Sequence, residues 1–82
     1  MFFVYILYSE KLDKYYVGYS NNYLERIERH NRGGIKFTTA GQPWSFVYKE
    51  GVETKELAAK REIEIKKWKS RKMIIKLIGT LE

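Results

Sequence analysis

Apolar and aromatic positions open the chain as two short runs and then recur at helical spacing further along. The first run covers residues 2–8 and the second covers residues 14–19, and both are rich in the β-branched and aromatic residues that favour strands. Residues 9–13 lie between the runs and carry the polar side chains that suit a turn. The pattern predicts an N-terminal β-hairpin.

A helix is predicted to follow the hairpin and to continue to about residue 31. Asn22, with Glu25 three places later, resembles a capping box at its start. The pair Gly33-Gly34 is placed to end it. The next stretch, residues 35–43, has the threonines and glycines of an irregular loop and leads into a third predicted strand at residues 45–50.

Two further helices are predicted in the last third of the chain. In the second helix, which Thr54 and Glu56 suit at its start, four apolar residues fall within about 100° of arc: Leu57, Ala58, Ile65 and Trp68. Ser70 can cap the third helix, whose apolar positions are Met73, Ile74, Leu77, Ile78 and Leu81. The sum is an α+β fold in the order ββαβαα, with a small three-stranded, mostly antiparallel sheet flanked by helices.

Composition narrows the class of protein. The 82 residues are 44% hydrophobic and 32% charged, which fits one globular domain spanning residues 1–82. Cysteine is absent, so disulfide scaffolds and thiolate catalysis are excluded. The longest apolar run is far shorter than the roughly 18–20 residues of a membrane span, and no signal peptide is visible, so we expect a cytoplasmic protein, bacterial and at most associated with the nucleoid.

Positive charge is concentrated near the end of the chain. The net charge is +6, and residues 60–76 contain eight cations and two anions, so this segment accounts for all of it. Such clustering is typical of proteins that bind a phosphate backbone, although a solvated helix face gives the same pattern. The cations proposed to bind nucleic acid are Lys60, Lys66, Lys67, Lys69, Arg71 and Lys72.

Several short motifs then follow one another in a recognisable order. The first strand contains Phe3-Val4-Tyr5, the second contains Tyr16-Val17-Gly18, and Arg26 and Glu62 lie on predicted helices. The chain also has Leu24-Glu25-Arg26, His30-Asn31, Pro43-Trp44, and Arg61-Glu62 with Ile65-Lys66. This order and spacing resemble the small, stand-alone members of the GIY-YIG nuclease superfamily, although the first tripeptide departs from Gly-Ile-Tyr.

The resemblance implies a role for each matching residue. Glu62 would hold one divalent ion, Mg²⁺ or Mn²⁺, which accepts few protein ligands and keeps several waters. Arg26 would contact the scissile phosphate with its planar fork. Tyr5 and Tyr16 would lie beside the attacking water, with the choice of general base between them left open. A lysine that many relatives carry after the second tripeptide is replaced by Tyr19-Ser20.

The residues themselves leave some of these assignments open. Tyr5 and Tyr16 share one sheet face only if Tyr5 pairs with Gly18, whose missing side chain suits a close approach at the site. On a helical projection Glu62 and Glu64 lie at opposite edges of the apolar arc, so spacing alone does not choose between them. His30, four residues after Arg26, is assigned either to catalysis or phosphate contact or to a structural role near the helix end.

The resemblance implies a metal-dependent endonuclease that hydrolyses phosphodiester bonds in DNA, with RNA as a second substrate, of the kind used in DNA repair. The alternative is a catalytically weak or inactive nucleic-acid-binding module of the same fold. A third interpretation is a protein-interaction domain that uses the apolar last helix. A partner protein that supplies target choice fits the small size of the chain, and oligomeric state is left open.

Overall fold

The computed structural model describes residues 1–32 and 40–81. The elements, in chain order, are β1 (Phe2–Ser9), β2 (Lys14–Ser20), α1 (Tyr23–Asn31), β3 (Trp44–Val52), α2 (Lys55–Trp68), α3 (Arg71–Ile78) and a final 3-10 turn (Gly79–Leu81). This order confirms the predicted ββαβαα arrangement and the α+β class. The predicted stop at Gly33-Gly34 and most of the predicted loop lie outside the described residues.

The three strands form one sheet in the order β2-β1-β3, and both pairings are antiparallel. In the hairpin, Tyr5 pairs with Gly18 and Leu7 pairs with Tyr16. The predicted register is therefore confirmed, and Tyr5 and Tyr16 lie on the same face of the sheet. β2 forms one edge of the sheet, with only β1 beside it.

Each helix begins where a side chain caps its first turn. The Asn22 side chain accepts a hydrogen bond from the backbone N–H of Glu25 (3.2 Å), as Thr54 does from Leu57 (3.2 Å). The second half of the predicted capping box differs, because the Asn22 side-chain amide, rather than its backbone N–H, donates to the Glu25 carboxylate (3.3 Å). These caps fix where α1 and α2 begin relative to the ends of β2 and β3.

The sheet is covered on both faces, and β1 is buried on both because it lies in the middle. One face packs against α2 through a core of Val4, Ile6, Val17, Tyr48, Ala58 and Ile65. The other face packs against α1 through Tyr5, Leu7 and Trp44, with Tyr16, Tyr23, Ile27 and Phe46 partly buried around them. Tyr5 and Tyr16 therefore belong to the α1 side of the sheet.

The apolar arc predicted for α2 is too wide. Leu57 is 50% exposed, whereas Ala58 and Ile65 are fully buried and Trp68 is partly buried. The helix rests on the sheet along a narrow stripe, so a residue at the edge of a projected arc can face solvent. Likewise Met73 of α3 is 45% exposed, and α3 has no fully buried residue. Within the described ranges, no helix combines the length and apolarity needed to cross a membrane.

Candidate active site

A cleft of about 490 Å³ opens along the β2 edge of the sheet, where the two covered faces meet. Four elements contribute the four residues predicted to be catalytic: Tyr5 from β1, Tyr16 from β2, Arg26 from α1 and Glu62 from α2. The other lining residues are Phe2, Gly18, Tyr19, Ser20, Asn21 and Lys55. The fold thus brings together residues that are up to 60 positions apart in the sequence, from Phe2 to Glu62.

Gly18 lets the side chain of Tyr5 reach this cleft from the central strand. A Cβ at position 18 would lie 2.6 Å from the Tyr5 hydroxyl oxygen and 3.2 Å from a ring carbon of Tyr16. Both distances are below ordinary van der Waals contact, so any side chain at position 18 would displace the two rings. The glycine shapes the site by leaving room for the Tyr5 phenol to lie across β2.

His30 packs beneath the two tyrosines. Its side chain is fully buried, its Nε2 lies 3.4 Å from the Tyr5 hydroxyl, and its ring centroid lies 4.7 Å from that of Tyr16. Burial, together with the charges of Arg26 and Arg29, lowers the pKa of His30 to about 4. The imidazole is therefore neutral at pH 7, and its burial removes it from direct contact with a phosphate in the cleft.

Tyr5 keeps its proton at neutral pH. Burial and the neighbouring Tyr16 raise the pKa of Tyr5 to about 12, with Arg26 opposing the shift. The Tyr5 hydroxyl oxygen and Nε2 of the neutral His30 lie within hydrogen-bond distance, and the tautomer of the imidazole sets which of the two donates. This environment disfavours Tyr5 as a phenolate base and favours it as a hydroxyl that orients a neighbouring group.

The structure separates the two glutamates that the helical projection left equivalent. Glu62 lines the cleft with a side chain that is 18% exposed, and its Oε1 accepts a hydrogen bond from Lys66 (3.0 Å). Glu64 is 53% exposed and pairs with Arg61 outside the cleft. Lys66 also lies 5.9 Å from the ring centroid of Tyr16, so it borders the cleft from the α2 side.

Hydrogen bonds join the end of α1 to the start of β3, and they hold in place the helix that carries Arg26. The Asn31 side chain bonds both backbone groups of Trp44, accepting from its N–H at 2.5 Å and donating to its carbonyl at 3.1 Å. Gln42 donates to the backbone carbonyl of His30 at 2.8 Å. Arg26 itself forms no ion pair with any residue in the described part of the chain, so its guanidinium is available to an anion in the cleft.

The cations predicted to bind nucleic acid do not line the cleft, and three of them lie beside it. Lys66, Lys69 and Arg71 line a neighbouring groove that shares Tyr16 with the cleft. Arg71 bonds to the side chain and backbone carbonyl of Asp13, in the turn between β1 and β2. The remaining predicted cations, Lys60, Lys67 and Lys72, are exposed.

Lys55 is a charged lining residue that the sequence did not single out. Its helical spacing offered a signal, because residues seven apart lie on nearly the same face of a helix and Lys55 precedes Glu62 by seven. Among the described residues there is no cluster of three or more histidine, aspartate or glutamate side chains able to hold a metal. Glu62 is the carboxylate among the described residues that line the cleft, so further ligands of any metal held there would have to come from outside the chain.

Comparison with known proteins places this geometry in a family. The family model described as the GIY-YIG catalytic domain matches residues 1–74. UPF0213 proteins of Staphylococcus aureus strains Mu3 and N315 are each 45% identical over 60 residues, which cover 72% of this chain and 73% of theirs. The solution NMR structure of a UPF0213 protein from Bacillus halodurans is 33% identical, with a TM-score of 0.58 over 98% of this chain and 85% of that one. The predicted resemblance is confirmed, and the chain belongs to the GIY-YIG family of nuclease domains.

Proposed function

We propose that this protein is a metal-dependent endonuclease that hydrolyses phosphodiester bonds in DNA. The observation that carries the proposal is the meeting of Tyr5, Tyr16, Arg26 and Glu62 in one open cleft. A cleft at the edge of the sheet admits a nucleic-acid backbone, which an enclosed pocket in a chain of this size would exclude. RNA is the second candidate substrate, because phosphate contacts alone do not discriminate between the two polymers.

Arg26 and Glu62 supply opposite charges to the two sides of the reacting phosphate. Arg26 has a planar, permanently charged fork that holds two phosphate oxygens and stabilises the charge that develops in the transition state. Glu62 offers a hard carboxylate oxygen, and its Oε1 is already fixed by Lys66. The carboxylate is held in place before the substrate arrives.

A single magnesium or manganese ion fits the donors in the cleft. These ions need few protein ligands, commonly one or two carboxylates together with substrate phosphate and water. Glu62 would hold the ion, and a bound divalent ion supplies Lewis-acid stabilisation and a lowered pKa for water. The sparse protein ligands lead us to expect weak metal affinity in the absence of DNA.

The two tyrosines would orient the attacking water. Tyr5 is protonated at neutral pH, so its hydroxyl would hold the water by a hydrogen bond rather than remove its proton directly. His30 packs behind Tyr5, and its lowered pKa disfavours its taking up a proton. We therefore assign Tyr5 to orientation of the water, with His30 behind it and Tyr16 beside it.

The test is cleavage of labelled duplex, branched and single-stranded DNA with Mn²⁺, Mg²⁺ or EDTA by the wild-type protein and by Glu62→Gln. We expect products that require metal and that fall by at least about 100-fold in the variant, because the charge lost there acts directly on the reacting groups. Glu64→Gln is the matched control, since it removes the same charge from the same helix outside the cleft. Its activity should stay close to wild type.

Two results would contradict the proposal. Equal activity in Glu62→Gln and wild type would show that another group, or a contaminating nuclease, cuts the DNA. Binding of the panel without any cleavage, with folded protein by circular dichroism, would favour the nucleic-acid-binding module instead. Arg26→Lys, compared with Arg29→Lys on the same helix, separates loss of the bidentate fork from loss of positive charge.

A further inference from the structure

Lys55 is a cation of the cleft whose charge no neighbour balances. It is the first residue of α2, it is exposed, and it lines the cleft with Tyr19, Ser20 and Asn21. Within the described ranges it forms no ion pair or hydrogen bond through its side chain. Lys66, the other lysine near Glu62, is by contrast bonded to that carboxylate.

The position of Lys55 relative to Glu62 follows from the geometry of α2. The two residues are seven positions apart, so they lie within about 20° of each other around the helix and about 10 Å apart along it. Both border the same cleft. The lining residues of β2 run alongside, from Tyr16 beside Glu62 to Ser20 beside the end that contains Lys55.

The helix dipole of α2 disfavours a positive charge at the position of Lys55. The first turn of a helix favours negative charge, because its free N–H groups carry partial positive charge. Glu56 follows that rule, whereas Lys55 opposes it. A cation that is disfavoured by its own helix and unpaired with the described residues is explained best by an anion that comes from outside the chain.

We propose that Lys55 binds a backbone phosphate that flanks the scissile one and so positions the nucleic-acid strand over Glu62. The strand would run along the cleft between β2 and α2, with the scissile phosphate at Arg26 and Glu62 and a neighbouring phosphate at Lys55. This inference rests on the proposed function. Lys55 is a positioning residue in this scheme and does not touch the reacting atoms.

The experiment measures DNA binding in EDTA, where no cleavage interferes, with short labelled oligonucleotides in which one flanking phosphate at a time is a neutral methylphosphonate. Wild-type protein is compared with Lys55→Gln, Lys55→Arg and the control Lys11→Gln, which removes the same charge from the exposed turn after β1. We expect Lys55→Gln to weaken binding about tenfold, since a charged hydrogen bond is lost, and Lys11→Gln to bind like wild type.

The methylphosphonate series decides whether Lys55 acts on one phosphate. For wild type and Lys55→Arg, neutralising one flanking phosphate should weaken binding about tenfold, and this penalty should vanish in Lys55→Gln. Single-turnover cleavage of subsaturating DNA should fall by about the same tenfold in Lys55→Gln, because the loss lies in binding, and Lys11→Gln should cleave like wild type. Equal penalties at every position in wild type and Lys55→Gln would overturn the assignment of Lys55 while leaving the nuclease proposal standing. Absence of wild-type binding to any oligonucleotide would overturn both.

Discussion

At the scale of single residues, Gly18 has the most specific steric role. Replacing it by alanine would place a methyl group 2.6 Å from the Tyr5 hydroxyl oxygen. Because Tyr5 is packed in the buried core on the α1 side, we expect Gly18→Ala to lower the free energy of unfolding by about 1–3 kcal/mol. DNA cleavage should fall more than stability does, since the displaced ring belongs to the cleft. Urea denaturation and cleavage rates measure the two effects.

Gly79→Ala is the matched control for that substitution. A Cβ at position 79 would meet nothing within 4 Å, and the backbone there has φ −61°, which alanine adopts freely. We expect a change within about 0.5 kcal/mol and full activity. Similar losses in both variants would show that general glycine effects, rather than the Tyr5 contact, explain Gly18→Ala.

His30 should make folding stability depend on pH in the acid range. Its folded pKa of about 4 lies below the ordinary value of 6.5, so between these values the unfolded chain binds a proton that the folded protein does not. Stability is then fully present above pH 6.5 and is lost as the pH falls toward 4, by an amount on the order of 2–3 kcal/mol. Unfolding by urea from pH 7.5 to 4.5 measures this loss.

The variant His30→Gln isolates the contribution of His30 to the pH dependence of folding stability. His30→Gln keeps a polar side chain near the Tyr5 hydroxyl but has no group that titrates in this range. Its stability at pH 7.5 will be lower, and its dependence on pH between 6.5 and 4.5 should be flatter than that of wild type. An unchanged slope would assign the acid sensitivity to carboxylates instead.

The same residues show where prediction from sequence stops. The pairing of Tyr5 with Gly18 was expected from the resemblance, which places both tyrosines on one face of the sheet, and a one-residue slip would have separated them. The choice of Glu62 over Glu64 came from the motif that contains it. Helical spacing could not decide, because both glutamates lie at edges of the apolar arc and only the packing of α2 on the sheet determines which edge faces the cleft. Lys55 was missed because its spacing of seven residues from Glu62 becomes informative only once the cleft is known.

At the scale of elements, α3 is the helix with the weakest anchorage. It has no fully buried residue, and its first residue, Arg71, bonds to Asp13 in the turn between β1 and β2. The Tyr8 hydroxyl donates to the same aspartate at 2.6 Å. This network lowers the pKa of Asp13, chiefly through the hydrogen bond from Arg71. A polar contact, rather than a core side chain, holds the start of α3 against the hairpin.

We therefore expect Arg71→Gln to loosen α3 without unfolding the sheet. Amide hydrogen exchange across residues 71–78 should become faster, while exchange in β1 should stay as in wild type, because elements open locally according to their own contacts. Lys72→Gln is the control, since the neighbouring side chain is exposed and forms no bond with the described residues. Faster exchange in both strands and helices would instead mean that the Arg71 contact supports the whole fold.

The elements themselves were largely predictable, and the exceptions have a common cause. Strands and caps follow local signals, such as Thr54 before α2 and Ser70 before α3, and these were confirmed. The extent of burial depends on how a helix meets its neighbours, which a projection ignores. This explains why Leu57 faces solvent although it belongs to the projected arc.

At the scale of the whole molecule, the positive charge is divided between paired and unpaired cations. Arg61, Lys66 and Arg71 form ion pairs with carboxylates, so part of the charge of the basic segment is neutralised within the protein. The other cations of that segment form no ion pair with described residues: Lys60, Lys67, Lys69, Lys72 and Lys76. Net charge alone therefore overstates the surface available to a phosphate backbone.

The position of an unpaired cation should matter more than its number. Lys69 lines the groove that adjoins the cleft at Tyr16, whereas Lys76 lies on the far part of α3 beside Trp68 and Met73. Each phosphate contact contributes about 0.7–0.9 to the slope of log K against log salt concentration. We expect Lys69→Gln to reduce that slope by about this amount for DNA binding in EDTA, and Lys76→Gln to leave it unchanged. Equal reductions in the two variants would show that DNA binding depends on the total charge of the protein rather than on the position of each cation. The groove beside the cleft would then not be part of the DNA-binding path.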